Sequence, residues 1–317
     1  MKIKTEKVSE GLNRRAVTFP SEGETLRGWL YFPADFKPGR KLPGIVTANA
    51  LSGIKEINLP QYAERFAAAG FITLIFDYRY WGESSGEPRF HIAPGEFRTD
   101  ISAALTFLAK QPEVDPSCIG GWGISMGGQH MLSLATWEPR FKAIVATSTG
   151  ISNPTQEAPL SPEAAKAKYD QLAVAAIAER EGRARAGIKT LQAWCPKPQE
   201  GCLLPVEEAY NWYENARRTF APTWENKITS TSFQNLAADD PVFAIHLAKA
   251  PILIVHPDRD VVSVDTVLFY FKRAPEPKRL VVPGGLHTST YVNGSHMEMA
   301  AFEAIAWFKR YLSENKR

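Results

Sequence analysis

A turn flanked by glycines, between a predicted strand and a predicted helix, constrains this chain more than any other feature. The turn is Gly123–Gly127, with the sequence Gly-Ile-Ser-Met-Gly. The apolar run 118–122 before it indicates a buried strand, and residues 128–133 after it have helical periodicity. Such a sharp turn forces its central residue into strained backbone angles, and only glycine tolerates the close approach on either side. The pattern predicts that the Ser125 hydroxyl projects from a sheet edge beside a helix N-terminus.

Strands and helices alternate along most of the chain. An antiparallel hairpin is predicted first, with strands over 16–19 and 26–32. Alternation of this kind predicts an α/β fold with an open, mostly parallel sheet that has helices on both faces. The further predicted strands cover 42–48, 71–76, 141–146, 251–255 and 279–282, and the predicted helices cover 60–69, 97–110, 264–273 and 297–312.

The alternation stops between residues 151 and 236. This segment contains prolines, alanine-rich helical stretches and many aromatic residues. We interpret it as a helical cap, which divides the chain into core residues 1–150, a cap insertion at 151–236 and core residues 237–317. Because the insertion begins where the strand 141–146 ends, we expect it to lie over Ser125.

Composition excludes several classes of function. The chain has 37 basic and 34 acidic residues, a balance that does not predict a nucleic-acid partner. No apolar run reaches the roughly 20 residues of a membrane helix, and no secretory signal follows Met1. The three cysteines predict neither a metal site nor a disulfide framework. We expect a cytoplasmic protein without metal or cofactor, with a homodimer left open and free thiols, although Cys195 and Cys202 are near enough to pair across a short loop.

Serine is a poor nucleophile until a base removes its proton, so Ser125 requires a histidine and a group that orients it. Of six histidines, His287 follows the last predicted strand and a turn, at the sheet edge where ligands bind in open α/β folds. His296 is the alternative base. In the loop after the preceding strand, Asp260 is followed by two valines that can bury its carboxylate, whereas Asp258 is better placed to cap the turn. The order serine, acid, histidine is typical of α/β sheets of this kind.

These motifs resemble those of the α/β-hydrolase family, from about residue 16 to the C-terminus except in the insertion. Residues 76–89 are similar to the family's DxRGxGxS loop. The segment His256–Asp260 resembles its acid loop HGxxD, with Pro257 where glycine is usual, and supports Asp260 as the acid. The chain is most similar to the dienelactone-hydrolase and acyl-peptidase-like serine hydrolases, a subgroup that includes polyketide thiohydrolases and acyltransferases.

The resemblance also implies an oxyanion hole. The family often has His-Gly after its first parallel strand, where this chain has Asn49-Ala50. The motif aims a backbone amide at the oxyanion, and a backbone donor survives a change of side chain. We therefore expect the amides of Leu51 and Met126 to be the donors. Asn49 would either add its side-chain amide or brace the loop.

Aromatic residues predict an apolar pocket for a small-molecule acyl substrate. Trp194, Trp212 and Trp224 belong to the insertion, and Tyr80 and Trp81 lie on a loop at the same sheet edge. The insertion's aromatics could equally form its own small core. The predicted function is hydrolysis of a carboxylic ester or thioester of a small to medium apolar acyl group. An acyltransferase, a peptidase or a C–C hydrolase would use the same triad, and a non-catalytic ligand-binding homologue is the alternative of another class.

Overall fold

The computed structural model describes residues 6–9, 12–150, 187–239 and 242–312, together with the helical positions 170, 174, 177, 178 and 180–182. The described strands are β1 Glu6–Ser9, β2 Leu12–Ser21, β3 Glu24–Phe32, β4 Leu42–Ala48, β5 Ile72–Phe76, β6 Val114–Ile124, β7 Ala143–Thr147, β8 Thr190–Trp194, β9 Cys202–Leu204, β10 Ile228–Thr229, β11 Ile252–Val255 and β12 Lys278–Val281. The other described helices are α1 Leu59–Ala68, α2 Pro94–Ala109, α3 Met126–Trp137, α4 Glu207–Thr219, α5 Ser232–Ala238, α6 Val264–Arg273 and α7 Ser295–Leu312, with 3₁₀-helices at Ile245–Leu247 and His287–Thr290.

Nine of the described strands form one sheet, in the order β1-β2-β3-β5-β4-β6-β7-β11-β12. The strands from β5 to β12 in this order are mutually parallel, and β1, β2 and β3 extend one edge in antiparallel pairing. The predicted α/β fold with a mostly parallel sheet is therefore confirmed. The elements predicted outside the insertion are present, with ends that differ by up to four residues.

Both faces of the sheet are covered by helices, which explains the continuous apolar strands. On β5, Leu74 belongs to a buried cluster with α2 and α3, whereas its neighbour Ile75 belongs to a second cluster with α1 and α7. Successive side chains of a strand point to opposite faces, so a strand covered on both sides is apolar at every position. This arrangement leaves the carboxyl edge of the parallel strands as the place where loops meet.

The insertion differs from the helical cap that we expected. Besides α4 and α5, it contains a small three-stranded sheet in the order β10-β8-β9. These strands are two to five residues long, too short for their side chains to show a clear alternation. Residues 151–169 of the predicted insertion lie outside the described residues, and the domain boundaries stay predictions.

The expectation of free thiols is wrong for Cys195 and Cys202, which form a disulfide. Cys195 follows β8 and Cys202 begins β9, and the pairing of these two strands brings the cysteine Cα atoms to 6.3 Å. The spacing of these two cysteines left their pairing open, and the pairing of the two strands in the insertion decides it. The cytoplasmic location stays a prediction. None of the helices in the described part of the chain has the length and apolar character needed to cross a bilayer.

Candidate active site

The serine turn has the predicted strand–turn–helix form. Ser125 lies between β6 and α3 with φ 55° and ψ −122°, a conformation that non-glycine residues rarely adopt. A Cβ on Gly123 would lie 2.1 Å from the carbonyl oxygen of Gly127, and a Cβ on Gly127 would lie 2.1 Å from that of Ala48. The turn is therefore packed backbone against backbone, which only glycine permits at these two positions.

The three predicted side chains meet at the carboxyl edge of the sheet. The Nε2 atom of His287 lies 3.0 Å from Ser125 Oγ, and its Nδ1 atom lies 2.8 Å from both carboxylate oxygens of Asp260. The side chain of Asp260 is fully buried, and Ser125 and His287 are 7% and 5% exposed. A carboxylate only accepts hydrogen bonds, so Nδ1 carries the proton and Nε2 has a lone pair for the serine proton. His296 lies apart, beside Gly285 at the start of α7.

The loop after β11 positions the carboxylate of Asp260. Its Oδ1 atom accepts a hydrogen bond from the Val262 amide at 2.9 Å, and the ring of His256 reaches the Val262 carbonyl at 2.9 Å. Burial lowers the pKa of His256, so its ring is neutral. Asp258 accepts from the amide of Gly285 at 2.8 Å. Asp258 thus secures the histidine loop, while Asp260 faces the imidazole.

The β4–α1 loop contains Leu51 and Ser52, and it is held by aromatic residues of the insertion. Ser52 has φ 60°, a strained value for serine. Trp194 Nε1 donates to Ser52 Oγ at 2.8 Å, and Trp224 Nε1 donates to the Ser52 carbonyl at 2.8 Å. Tyr213 donates to the Leu51 carbonyl at 2.9 Å. Its ring is stacked between Trp194 and Trp224, with centroid distances of 5.5 and 5.0 Å, and we name these three residues the aromatic stack.

The side chain of Asn49 braces the same loop. Its Nδ2 atom donates to the Ile54 carbonyl at 2.7 Å, and its Oδ1 atom accepts from the Ala50 amide at 2.8 Å. Of the two alternatives left open for Asn49, the structure favours bracing. Met126 is the first residue of α3, where a backbone amide has no carbonyl one turn earlier in the helix. The roles of Met126 and Leu51 as oxyanion donors stay predictions.

Tyr80 and Trp81 lie on the β5–α2 loop, and both are buried. The Tyr80 hydroxyl donates to Glu96 Oε2 at 2.6 Å, and Trp81 Nε1 donates to the His91 carbonyl at 2.7 Å. These bonds hold the two polar atoms within their own region of the fold. A contact with substrate through their rings stays a prediction, as it does for the tryptophans of the insertion.

Sequence reasoning missed Tyr291, which joins the site from the segment after His287. Its hydroxyl lies 2.8 Å from His287 Nε2, the same atom that faces Ser125. Tyr291 is 1% exposed, and burial raises the pKa of its phenol well above the usual value. The ring packs edge-on against Trp212, whose Nε1 donates to Asn58. The signal available in the sequence was an aromatic hydroxyl four residues after the proposed base.

A second missed residue is Glu208, in α4 of the insertion. Its Oε2 atom accepts from the amide and the hydroxyl of Thr288, at 3.2 and 2.9 Å. The same helix carries Tyr213, which holds Leu51. Helix α4 therefore contacts both loops that flank the serine, so the insertion is part of the site's framework.

The site is organised for acid–base and nucleophilic chemistry. It brings together a hydroxyl, an imidazole and a buried carboxylate, with a helix N-terminus beside the hydroxyl. Among the residues that the structure describes, no group of three or more His, Cys, Asp or Glu side chains is arranged to hold a metal ion.

A comparison with family profiles decides the family. The profile described as X-Pro dipeptidyl-peptidase (S15 family) matches residues 22–289. The chain belongs to this S15 family. It is 28% identical over 298 residues to a thiohydrolase of Eupenicillium brefeldianum, with 93% of each chain covered. It is 28% identical over 308 residues to a polyketide transferase of Aspergillus fumigatus, covering 95% of this chain and 99% of that one.

A solved structure has the same fold. The α/β-hydrolase GrgF of Penicillium sp. sh18 is similar with a TM-score of 0.77 at 24% identity, covering 94% of this chain and 99% of that one. The S15 protein described here is thus a member of the α/β-hydrolase superfamily, in a subgroup with thiohydrolases. It is an enzyme of the hydrolase type.

Proposed function

We propose that this S15 protein is a serine hydrolase that cleaves carboxylic esters or thioesters of small to medium apolar acyl groups. The observation that carries the proposal is the 3.0 Å approach of His287 Nε2 to Ser125 Oγ, with Nδ1 held by Asp260. A hydroxyl, a base and an acid in this arrangement constitute an activated nucleophile.

The reaction follows from the positions of these groups. As Ser125 Oγ attacks the substrate carbonyl, its proton passes to His287 Nε2, and Asp260 stabilises the imidazolium that forms. The amides of Leu51 and Met126 would donate to the oxyanion, a contribution of roughly 3 kcal/mol for each donor in known cases. Collapse breaks the bond to the leaving group, which takes the proton from Nε2. Water then releases the acyl group by the same route in reverse.

Two observations support an ester or thioester substrate. Two relatives that match 93% and 82% of the chain are named thiohydrolases. The tryptophans and tyrosines around the site are apolar over most of their surface. An insertion above the site would also restrict large polymers, which disfavours a protease acting on folded chains. Acyl transfer is the second candidate, because a relative of similar length is named a polyketide transferase.

The test is modification of the nucleophile. We expect a fluorophosphonate probe to label the wild-type protein and the control Ser117→Ala, an exposed serine of β6, but not Ser125→Ala. Ser125→Ala should lower kcat for p-nitrophenyl acetate by about 10⁴-fold or more while the melting temperature stays the same. Wild-type turnover by Ser125→Ala would contradict the proposal. A wild-type protein that is not labelled at neutral pH would favour a non-catalytic binding protein.

The substrate class requires a second measurement. A panel of esters, thioesters and short peptides with increasing acyl size, assayed with and without an added alcohol, separates the candidates. Hydrolysis of thioesters and esters with little turnover of peptides supports the proposal. Peptide turnover above ester turnover would assign the chain to peptidase chemistry, and an acyl product on the alcohol would assign it to transfer.

A further inference from the structure

The hydroxyl of Tyr291 occupies a position that the triad mechanism does not use. It lies 2.8 Å from His287 Nε2, while Ser125 Oγ lies 3.0 Å from the same atom. A neutral imidazole with its proton on Nδ1 has one lone pair on Nε2. Both hydroxyls therefore approach the ring from the same side, and they compete for one acceptor.

That side of the imidazole is also where the leaving group must be. During collapse of the tetrahedral intermediate, the proton on Nε2 passes to the departing oxygen or sulfur, so this atom comes within hydrogen-bond distance of Nε2. The Tyr291 hydroxyl, 2.8 Å from Nε2, would therefore lie next to the leaving atom of the substrate. The incoming water of the second half-reaction occupies the same place, because deacylation reverses the path of acylation.

We propose that Tyr291 is a further catalytic residue, which donates a hydrogen bond to the leaving atom of the substrate. The inference rests on the proposed function of the site. In the step, the Ser125 proton moves to Nε2 as the bond from Oγ to the acyl carbon forms. The bond from the acyl carbon to the leaving atom then breaks, its electron pair stays on that atom, and the proton on Nε2 moves to it. Tyr291 keeps its own proton throughout.

The surroundings of Tyr291 are suited to this role. The ring is held between His287, at a centroid distance of 5.4 Å, and Trp212 of the insertion, at 6.3 Å. The side chain is almost fully buried, and its phenol stays neutral, so its O–H remains a donor. A rigid donor that excludes water stabilises developing negative charge more than a solvated donor does.

The test is the dependence of rate on the leaving group. Acetate esters of p-nitrophenol, phenol, trifluoroethanol and ethanol form a series in which the leaving group becomes steadily poorer. We expect Tyr291→Phe to lower kcat/KM for ethyl acetate by about 10- to 100-fold, because a donor to a charged atom is lost. For p-nitrophenyl acetate, whose leaving group needs little help, the loss should be below about threefold.

The matched control is Tyr62→Phe. Tyr62 is another buried tyrosine, and its hydroxyl donates to the Thr290 carbonyl of the same histidine segment without contacting His287 Nε2. Removing the hydroxyl of a residue that only positions the segment should change kcat/KM for all four esters by the same factor. If Tyr291→Phe also changes kcat/KM for the four esters by one common factor, or leaves all four values unchanged, the proposal is wrong.

Two further measurements keep the outcome interpretable. Fluoride needs no proton to depart, so Tyr291→Phe should be labelled by a fluorophosphonate at nearly the wild-type rate. Tyr291→Met, which lacks the donor but packs differently, should show the same leaving-group dependence. If the wild type turns over none of the esters and resists the probe, the proposed function fails; a uniform loss in a protein that is still labelled refutes only the role of Tyr291.

Discussion

Two strained serines lie on neighbouring loops of the site, and different contacts hold them. Ser125, at φ 55°, is fixed by the backbone packing of Gly123 and Gly127 within its own turn and against β4. Ser52, at φ 60°, is fixed by the indole groups of Trp194 and Trp224, which are 142 and 172 residues away in sequence. The first loop depends on the core sheet, whereas the second depends on the folding of the insertion.

The difference shows how the two halves of the site are divided between parts of the chain. The nucleophile and the start of α3 need only the strands and their glycines. The β4–α1 loop, which carries the proposed donor Leu51, is hydrogen-bonded to the aromatic stack. We therefore expect substitutions of the two turn glycines to affect folding and activity together at a large cost in stability, and substitutions in the aromatic stack to lower activity at a smaller cost in stability.

The largest effect should come from Gly127→Ala. The added Cβ would lie 2.1 Å from the Ala48 carbonyl oxygen and 2.4 Å from its carbon, and backbone atoms of a central strand cannot move aside. We expect the free energy of unfolding to fall by about 3 kcal/mol or more, with loss of fluorophosphonate labelling. Denaturant unfolding and probe labelling measure both.

The control for this change is Gly95→Ala, an exposed glycine near the start of α2 with no atom within 4 Å of its added Cβ. Its stability should stay within about 1 kcal/mol of the wild type. If Gly127→Ala behaves like Gly95→Ala, the serine turn is not fixed by backbone packing, and the contrast between the two loops disappears.

A smaller effect is expected from Tyr213→Phe, which keeps the stacked ring and removes the hydrogen bond to the Leu51 carbonyl. The buried carbonyl is left without this donor, at a cost of about 1 to 3 kcal/mol. Because a small displacement of the loop misaligns the proposed oxyanion donor, kcat should fall by about tenfold or more.

Thermal melting together with kcat for a thioester measures this prediction. Tyr311→Phe, in α7 against Trp307, is the control and should change neither quantity. A loss of stability in Tyr213→Phe without any loss of kcat would show that the β4–α1 loop keeps its shape without the aromatic stack.

The smallest effect concerns the loss of stability at low pH that is caused by His130 in α3. His130 is fully buried, and its ring packs edge-on against the stacked rings of Tyr78 and Phe97. Burial, with a smaller contribution from the charge of Arg98, holds the pKa of His130 well below its usual value of 6.5. The unfolded chain binds a proton at this residue below about pH 6.5 and the folded chain does not, so stability falls as the pH is lowered through that range.

Replacing the His130 imidazole should reduce the dependence of stability on pH. One proton changes the free energy of unfolding by about 1.4 kcal/mol for each pH unit, at pH values well below the histidine pKa of the unfolded chain. His130→Met should remove this contribution. The contribution of His256, whose pKa is also lowered by burial, would remain. Melting temperatures measured between about pH 5 and 7.5, a range that brackets the usual histidine pKa, check the prediction. Equal slopes of melting temperature against pH in the wild type and in His130→Met would contradict it.

Much of the fold and the three central side chains of the site could be predicted from local patterns. Apolar runs separated by helical periodicity identified the parallel sheet, because each buried strand carries its own signal. His287 and Asp260 were identified by their position after strands, since the carboxyl ends of parallel strands share one edge. The strands β8, β9 and β10 and the disulfide between Cys195 and Cys202 were not, because pairing among very short strands is decided by their neighbours.

The sequence alone thus determined which segments form the parallel strands of the main sheet, where the serine turn lies, and that Asp260 and His287 reach the same sheet edge, since these depend on residues close together in the chain. Tertiary structure decided that Tyr291 shares an acceptor with Ser125 and that the tryptophans of the insertion hold Ser52. Hydrogen bonds and ring contacts of this kind join residues far apart in sequence. Their partners are fixed only when the packed elements bring donor and acceptor to within about 3 Å of each other.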